Sequence, residues 1–167
     1  MEKREVTLVV DNVRSLENVG SMFRTADGAG VKEILLVGIS GYPDMGEQDI
    51  RRPYLRLKQH KALAKTALSG IGTPFRYFAT RQECLDYMAS QNLFVVVLEQ
   101  NERSVSYQTD FDVKFPCCVV VGNELEGVSS EFIDKADVVV DIPMSGKGVS
   151  LNVSVSAGII LYRVLSR

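Results

Sequence analysis

The chain has 167 residues, 46% of them hydrophobic, and a formal net charge of −2. That is enough apolar material for one globular domain, and no break in composition divides it. No apolar run approaches the roughly 20 residues needed to span a bilayer, and the opening MEKREV is charged instead of leading into an apolar signal core, so a cytoplasmic protein is expected. Cys84, Cys117 and Cys118 form no CxxC pair and His60 is the only histidine, which argues against a disulfide framework and leaves metal chemistry short of ligands.

In chain order, a strand is predicted at 7–10, then a loop rich in Asn, Ser and Gly that runs into a helix at 19–29. A strand at 33–37 leads into a long connection, 38–59, punctuated by Gly41, Pro43, Gly46 and Pro53, and then a helix at 60–69. A strand at 75–79, a helix at 81–91 and a strand at 94–98 follow, and a second long connection occupies 99–116. The last third reads as strand 118–122, helix 130–136, strand 138–142 and a closing helix at 151–165. Connections of that length in a compact domain are usually functional or disordered. The runs LFVVVL and CCVVVG are apolar at every position, so both faces of those strands must be covered. The expected fold is a single α/β domain, a mostly parallel sheet flanked by helices.

The net charge hides an uneven distribution. No Asp or Glu occurs from Ile50 to Gln82, while Arg51, Arg52, Arg56, Lys58, Lys61, Lys65, Arg76 and Arg81 all fall there. With Tyr54 and His60 interleaved, this run reads as a polyanion-binding surface, because Lys and Arg displace counterions from phosphates and aromatic faces stack on bases. The alternative is an ordinary solvated basic face.

Three stretches each follow an apolar run, where open α/β sheets place their ligands: NVRSLENVGSMFRTADGAG from Asn12, VGNELEGVS from Val121 and IPMSGKGVSLNVSVSAG from Ile142. The last is no phosphate loop, since Ile142 and Gly148 stand where that motif needs Gly and Ser or Thr. No GxGxxG follows the first strand, and no GxSxG supplies a nucleophile elbow. What remains is Asn, Ser, Gly, Glu124 and Arg24. Such a set offers amide hydrogen bonds to a heterocycle and ribose, and one permanent cation for a phosphate or a developing oxyanion. Helix capping alone would account for Ser150 or Asn18, and pairing with Glu17 or Asp27 would account for Arg24.

Together these segments resemble the three motifs of the SpoU/TrmH-type RNA methyltransferases of the SPOUT superfamily. Asn18 and Arg24, followed by TAD, match the first; Gly122, Asn123, Glu124 and Gly127 the second; Ile142, Pro143, Met144, Gly146, Ser150, Leu151 and Asn152 the third. The resemblance covers essentially the whole chain. It implies a C-terminal third threaded as a deep trefoil knot and S-adenosylmethionine held by Leu98, Gly122, Ile142 and Leu151. It also implies a reaction centre of Arg24, Asn18, Glu124, Ser150 and Asn152. The implied reaction is methyl transfer to a ribose 2′-hydroxyl of tRNA or rRNA, by a homodimer and without a metal. Since an arginine keeps its proton at physiological pH, Arg24 is expected to stabilise the forming alkoxide and not to act as a base. No separate RNA-binding domain is expected, which puts substrate RNA on Arg51, Arg52, Arg56, Lys58, Lys61 and Lys65. The dimer is expected to bury Ile159, Ile160, Leu161, Val164 and Leu165 of the closing helix. The rival reading is a catalytically silent RNA-binding or ribosome-assembly protein of the same fold.

Overall fold

A computed structural model describes residues 4–166; the first three residues of the charged opening lie outside it. Seven strands form one sheet in the order β3-β2-β1-β6-β4-β7-β5, and every pairing is parallel. The strands are β1 (Val6–Asp11), β2 (Glu33–Val37), β3 (Phe75–Phe78), β4 (Phe94–Leu98), β5 (Val105–Ser106), β6 (Cys117–Val121) and β7 (Val138–Asp141). The helices are α1 (Leu16–Ala29), α2 (Pro53–Ala67), α3 (Arg81–Ser90), α4 (Ser130–Ile133) and α5 (Val153–Leu165).

The unbroken apolar runs are explained by two cores, one on each face of the sheet. Val6, Leu8 and Val10 of β1, with Cys117, Val119 and Val121 of β6, pack against α1, α2 and α5 through Phe23, Leu63, Ile160 and Leu161. The intervening Val9, Cys118 and Val120 face α3 and α4 through Cys84, Met88 and Phe132. All three cysteines are buried and unbridged, and burial pushes the thiols of Cys84 and Cys117 up to about 12 and that of Cys118 well above its ordinary value. No helix among the described residues is long and apolar enough to cross a membrane.

The elements depart from the sequence reading in several places: α1 starts three residues early, at Leu16, and α4 stops three residues early, at Ile133. The helix expected at 60–69 begins at Pro53 and ends at Ala67, so a third of the supposed connection 38–59 is helical. Pro53 is its first residue, where a missing N–H costs nothing and a fixed φ favours the turn; the proline that reads as a breaker is a start signal. Strand β5 is only two residues long and pairs Val105 with Val140, too short to show a period. The closing helix starts at Val153, capped by the Asn152 side chain, which accepts from Ser154 N at 2.8 Å. Leu151 therefore precedes the helix and Ser150 is not its cap.

Candidate active site

The cleft is built at the C-terminal edge of β4, β6 and β7, next to the switch in strand order between β1 and β6, which is where the topology of an open parallel sheet leaves a crevice. It has two lobes. The larger, about 550 Å³, is lined by Gly122 and the 123–127 turn, with Ser150, Leu151 and Asn152 opposite. The smaller, about 310 Å³, is lined by Asp141, Ile142, Met144 and Val149. Leu98, Glu99, Ser150, Leu151 and Ser156 line both. Leu98, Gly122, Ile142 and Leu151, the four residues assigned to the cofactor, thus all face one bilobed space.

The wall at 122–128 is held tightly. Asn123 and Gly127 exchange backbone hydrogen bonds of 2.9 and 3.0 Å, and the Asn123 side chain donates to Asn12 O at 2.8 Å while accepting from Leu125 N and Glu126 N. Gly127 has φ +74, the left-handed region that only glycine enters cheaply. Gly122 is buried and lies against the Gly127–Val128 backbone so closely that a Cβ would collide with it, so only glycine fits where the strand end meets this turn.

At the mouth, three side chains form a relay. Ser15 caps α1 by accepting from Asn18 N at 3.2 Å, so Asn18 is not spent on capping. Its amide donates to Glu124 Oε1 at 3.0 Å and accepts from Asn152 Nδ2 at 2.9 Å. The Glu124 carboxylate also accepts from Ser15 N at 3.1 Å and Arg14 N at 3.2 Å. Partial burial works to raise the Glu124 carboxyl, but these N–H donors outweigh it and hold its pKa below the ordinary glutamate value. Asn18, Glu124 and Asn152, from three distant segments, therefore meet, and Ser150 lines the same lobe as Glu124 and Asn152.

Arg24 does not join them. It is exposed on α1 and lines a separate cavity of about 660 Å³ with Ser21, Thr25, Lys65, Thr66 and Tyr162. Six residues separate it from Asn18, about 9 Å along the helix axis. It makes no ion pair with Glu17, Asp27 or any other described residue.

The basic run is divided. Arg51 is an architectural residue: its guanidinium grips Asp49 at 2.5 and 2.8 Å, donates to the carbonyls of Tyr42 and Pro43 and to Gln59, and lies 3.6 Å over the Tyr42 ring. Its side chain is 12% exposed and that of Asp49 is fully buried, and the Arg51 hydrogen bonds hold the Asp49 carboxyl far below the usual carboxylate range. Arg56 pairs with Asp44 at 3.1 Å, Arg76 with Glu33 at 2.9 Å and Arg81 with Asp11 at 3.0 Å. Arg52, Lys58, Lys61 and Lys65 make no ion pair among the described residues. Arg51, expected on RNA from the sequence, thus holds its own segment together, and Arg56 is partly committed to Asp44.

Sequence reasoning missed Glu99 at the seam of the two lobes, though its place directly after a predicted buried strand was a usable signal. It also missed Asp141 and the Lys65–Tyr162 surroundings of Arg24, which depend on packing between helices.

Residues 5–162 match the model of the SpoU rRNA Methylase family. The chain belongs to that family. A tRNA (guanosine(18)-2′-O)-methyltransferase of Aquifex aeolicus is 32% identical to it over 164 residues, covering 97% of this chain and 70% of that protein. A 23S rRNA (guanosine-2′-O-)-methyltransferase of Yersinia pestis is 29% identical, covering 95% and 58%. Among solved structures, an AdoMet-bound rRNA methyltransferase from Sinorhizobium meliloti superimposes with a TM-score of 0.75 at 27% identity, over 96% of this chain and 55% of that one. This member of the SpoU family therefore spans little more than half the length of two of these three relatives.

Proposed function

We propose that the chain transfers a methyl group from S-adenosylmethionine to a ribose 2′-hydroxyl of tRNA or rRNA. The observation that carries this reading is the bilobed cleft, in which Leu98, Gly122, Ile142 and Leu151 converge while the Asn18–Glu124–Asn152 relay frames the mouth. A space of this size, lined by the apolar side chains of Leu98, Ile142 and Leu151 together with many polar groups, suits a bent nucleoside cofactor. When bound, the cofactor supplies a sulfonium-activated methyl group to an attacking oxygen. Leu98 and Leu151 exclude water, Ser150 and the relay amides orient the acceptor ribose, and the Arg24 cation stabilises the alkoxide as the hydroxyl loses its proton.

Because Arg24 faces a different cavity within its own chain, the reading includes a homodimer. Of the five apolar residues expected at that interface, Ile160, Leu161 and Val164 are fully buried in the chain's own core, while Ile159 and Leu165 are half-buried. Val155 and Tyr162 of α5 are instead 51% and 55% exposed on one helical face, and Tyr162 shares the cavity of Arg24. Closure of a second copy over this face is the arrangement that brings an arginine to the mouth. The trefoil threading implied for the C-terminal third belongs to the same reading, and an experimental backbone trace without it would remove it.

Methylated RNA is the test. A 2′-O-methyl removes the internal nucleophile by which RNA cleaves itself in alkali, so labelled product should yield an alkali-stable dinucleotide. Label on a free base or on an ordinary mononucleotide would overturn the ribose assignment, and RNA binding without any transfer would favour the silent RNA-binding role. Sedimentation as a monomer at micromolar concentration would count against the dimer.

A further inference from the structure

The cleft has an electrostatic character that the cofactor assignment does not use. Glu99, Glu124 and Glu126 line its larger lobe and Glu99 and Asp141 its smaller one, while no Lys, Arg or His among the described residues lines either. The Glu99 carboxylate is fixed: Oε2 accepts from Val128 N at 2.8 Å and Oε1 from Gln100 N at 2.9 Å. Gly127 packs directly against it, with no room for a Cβ between them. Each of these oxygens keeps a second lone pair. Asp141 accepts from Ser104 Oγ through Oδ2 at 3.2 Å, while its Oδ1 is buried with no hydrogen-bond partner. A lining that carries carboxylates and no counter-charge favours a positive occupant over a neutral one of the same shape.

We propose that Glu99, with Asp141 in the smaller lobe, makes the cleft select the charge state of the cofactor, holding the sulfonium form and releasing the neutral thioether left after transfer. This rests on the methyltransferase reading. In that reaction the S–CH3 bond breaks as the O–CH3 bond forms, the bonding pair stays on sulfur, which becomes neutral, and the hydroxyl proton passes to solvent. The cofactor therefore loses one positive charge while its shape changes by a single methyl group. A fixed anion at the seam of the lobes feels that loss directly, and product is expelled by the charge change that transfer itself produces. Glu99 is a selectivity residue in this scheme and takes no part in bond making.

The experiment is calorimetric titration of the full chain with S-adenosylmethionine and with S-adenosylhomocysteine. The wild-type protein is expected to bind the sulfonium form the more tightly. Glu99→Gln keeps an acceptor for Val128 N and removes the charge; it should weaken S-adenosylmethionine binding on the order of tenfold, the effect of one unit charge at close range in a partly solvated site, while leaving S-adenosylhomocysteine within about twofold. Glu99→Asp should keep the preference. Asp141→Asn, which touches none of the Glu99 contacts, should shift the ratio in the same direction and serves if the Glu99 variants fail to fold. Equal weakening of both ligands would reduce Glu99 to a loop brace, and a wild-type protein that prefers the thioether would overturn charge selection outright. Binding of neither ligand by the wild type would instead strike the methyltransferase reading.

Discussion

Arg24 is an exposed cation without an ion-pair partner, on a helix where Ser15 and Asn18 have assigned partners, and no described contact in its own chain uses its charge. Arg24→Ala is expected to abolish methyl transfer, a loss of at least about a hundredfold for removal of one charge-stabilising donor, while cofactor affinity and thermal stability stay near wild type. A variant with undiminished turnover at saturating RNA would end its assignment. Asn18, Glu124 and Asn152 were legible because motif spacing put them in three turns, and the fold joins them. Glu99 was signalled only by its place directly after a predicted buried strand, and its acceptor role for Val128 N appears only in the fold. Nor could counting charge along the chain find the partners of Arg51, Arg56, Arg76 and Arg81. Those acids, Asp49, Asp44, Glu33, Asp11 and Glu131, all lie outside the acid-free run, and of the five only Asp49 is a close sequence neighbour of its arginine.

At the scale of elements, the basic run separates into cations paired within the fold and cations that make no ion pair among the described residues. Lys58, Lys61 and Lys65 recur at helical spacing along α2 and lead to Arg24 through the cavity that Lys65 shares. Reversing Arg52, Lys58, Lys61 and Lys65 to Glu should weaken RNA binding and flatten its dependence on salt, by about 0.9 in logarithmic slope for each phosphate that is no longer neutralised. An unchanged slope would make this face mere solvated surface. Arg51→Ala should act differently: it strands the buried Asp49 carboxylate, at a cost of about 3–5 kcal/mol in stability, read as a lower unfolding midpoint. Strand positions were the best-predicted elements, because residues buried on both faces leave unbroken apolar runs. The start of α2 was hidden since only Leu63 and Ala67 of that helix are buried, too few to print a period on the sequence.

At the scale of the molecule, the relay and the sheet share one property: neighbours in space are remote in the chain. The central pairing joins Val6 to Cys117 and Val10 to Val121, and the Asn123–Asn12 hydrogen bond that steadies the cleft wall spans 111 residues. Such a topology closes its longest loop before its middle strands gain anything, which makes folding slow and leaves few stable partial structures. The cleft, whose two sides hang on that central pair, should vanish together with the sheet and not ahead of it. In a urea titration, loss of cofactor binding, measured at low ligand occupancy, is expected to coincide with loss of helical dichroism; binding that disappears well before it would show that the cleft melts as an independent unit. For the proposed methyl transfer, coincident loss would mean a population in which each molecule is either fully competent or unfolded, with no half-formed species able to sequester cofactor without delivering its methyl group.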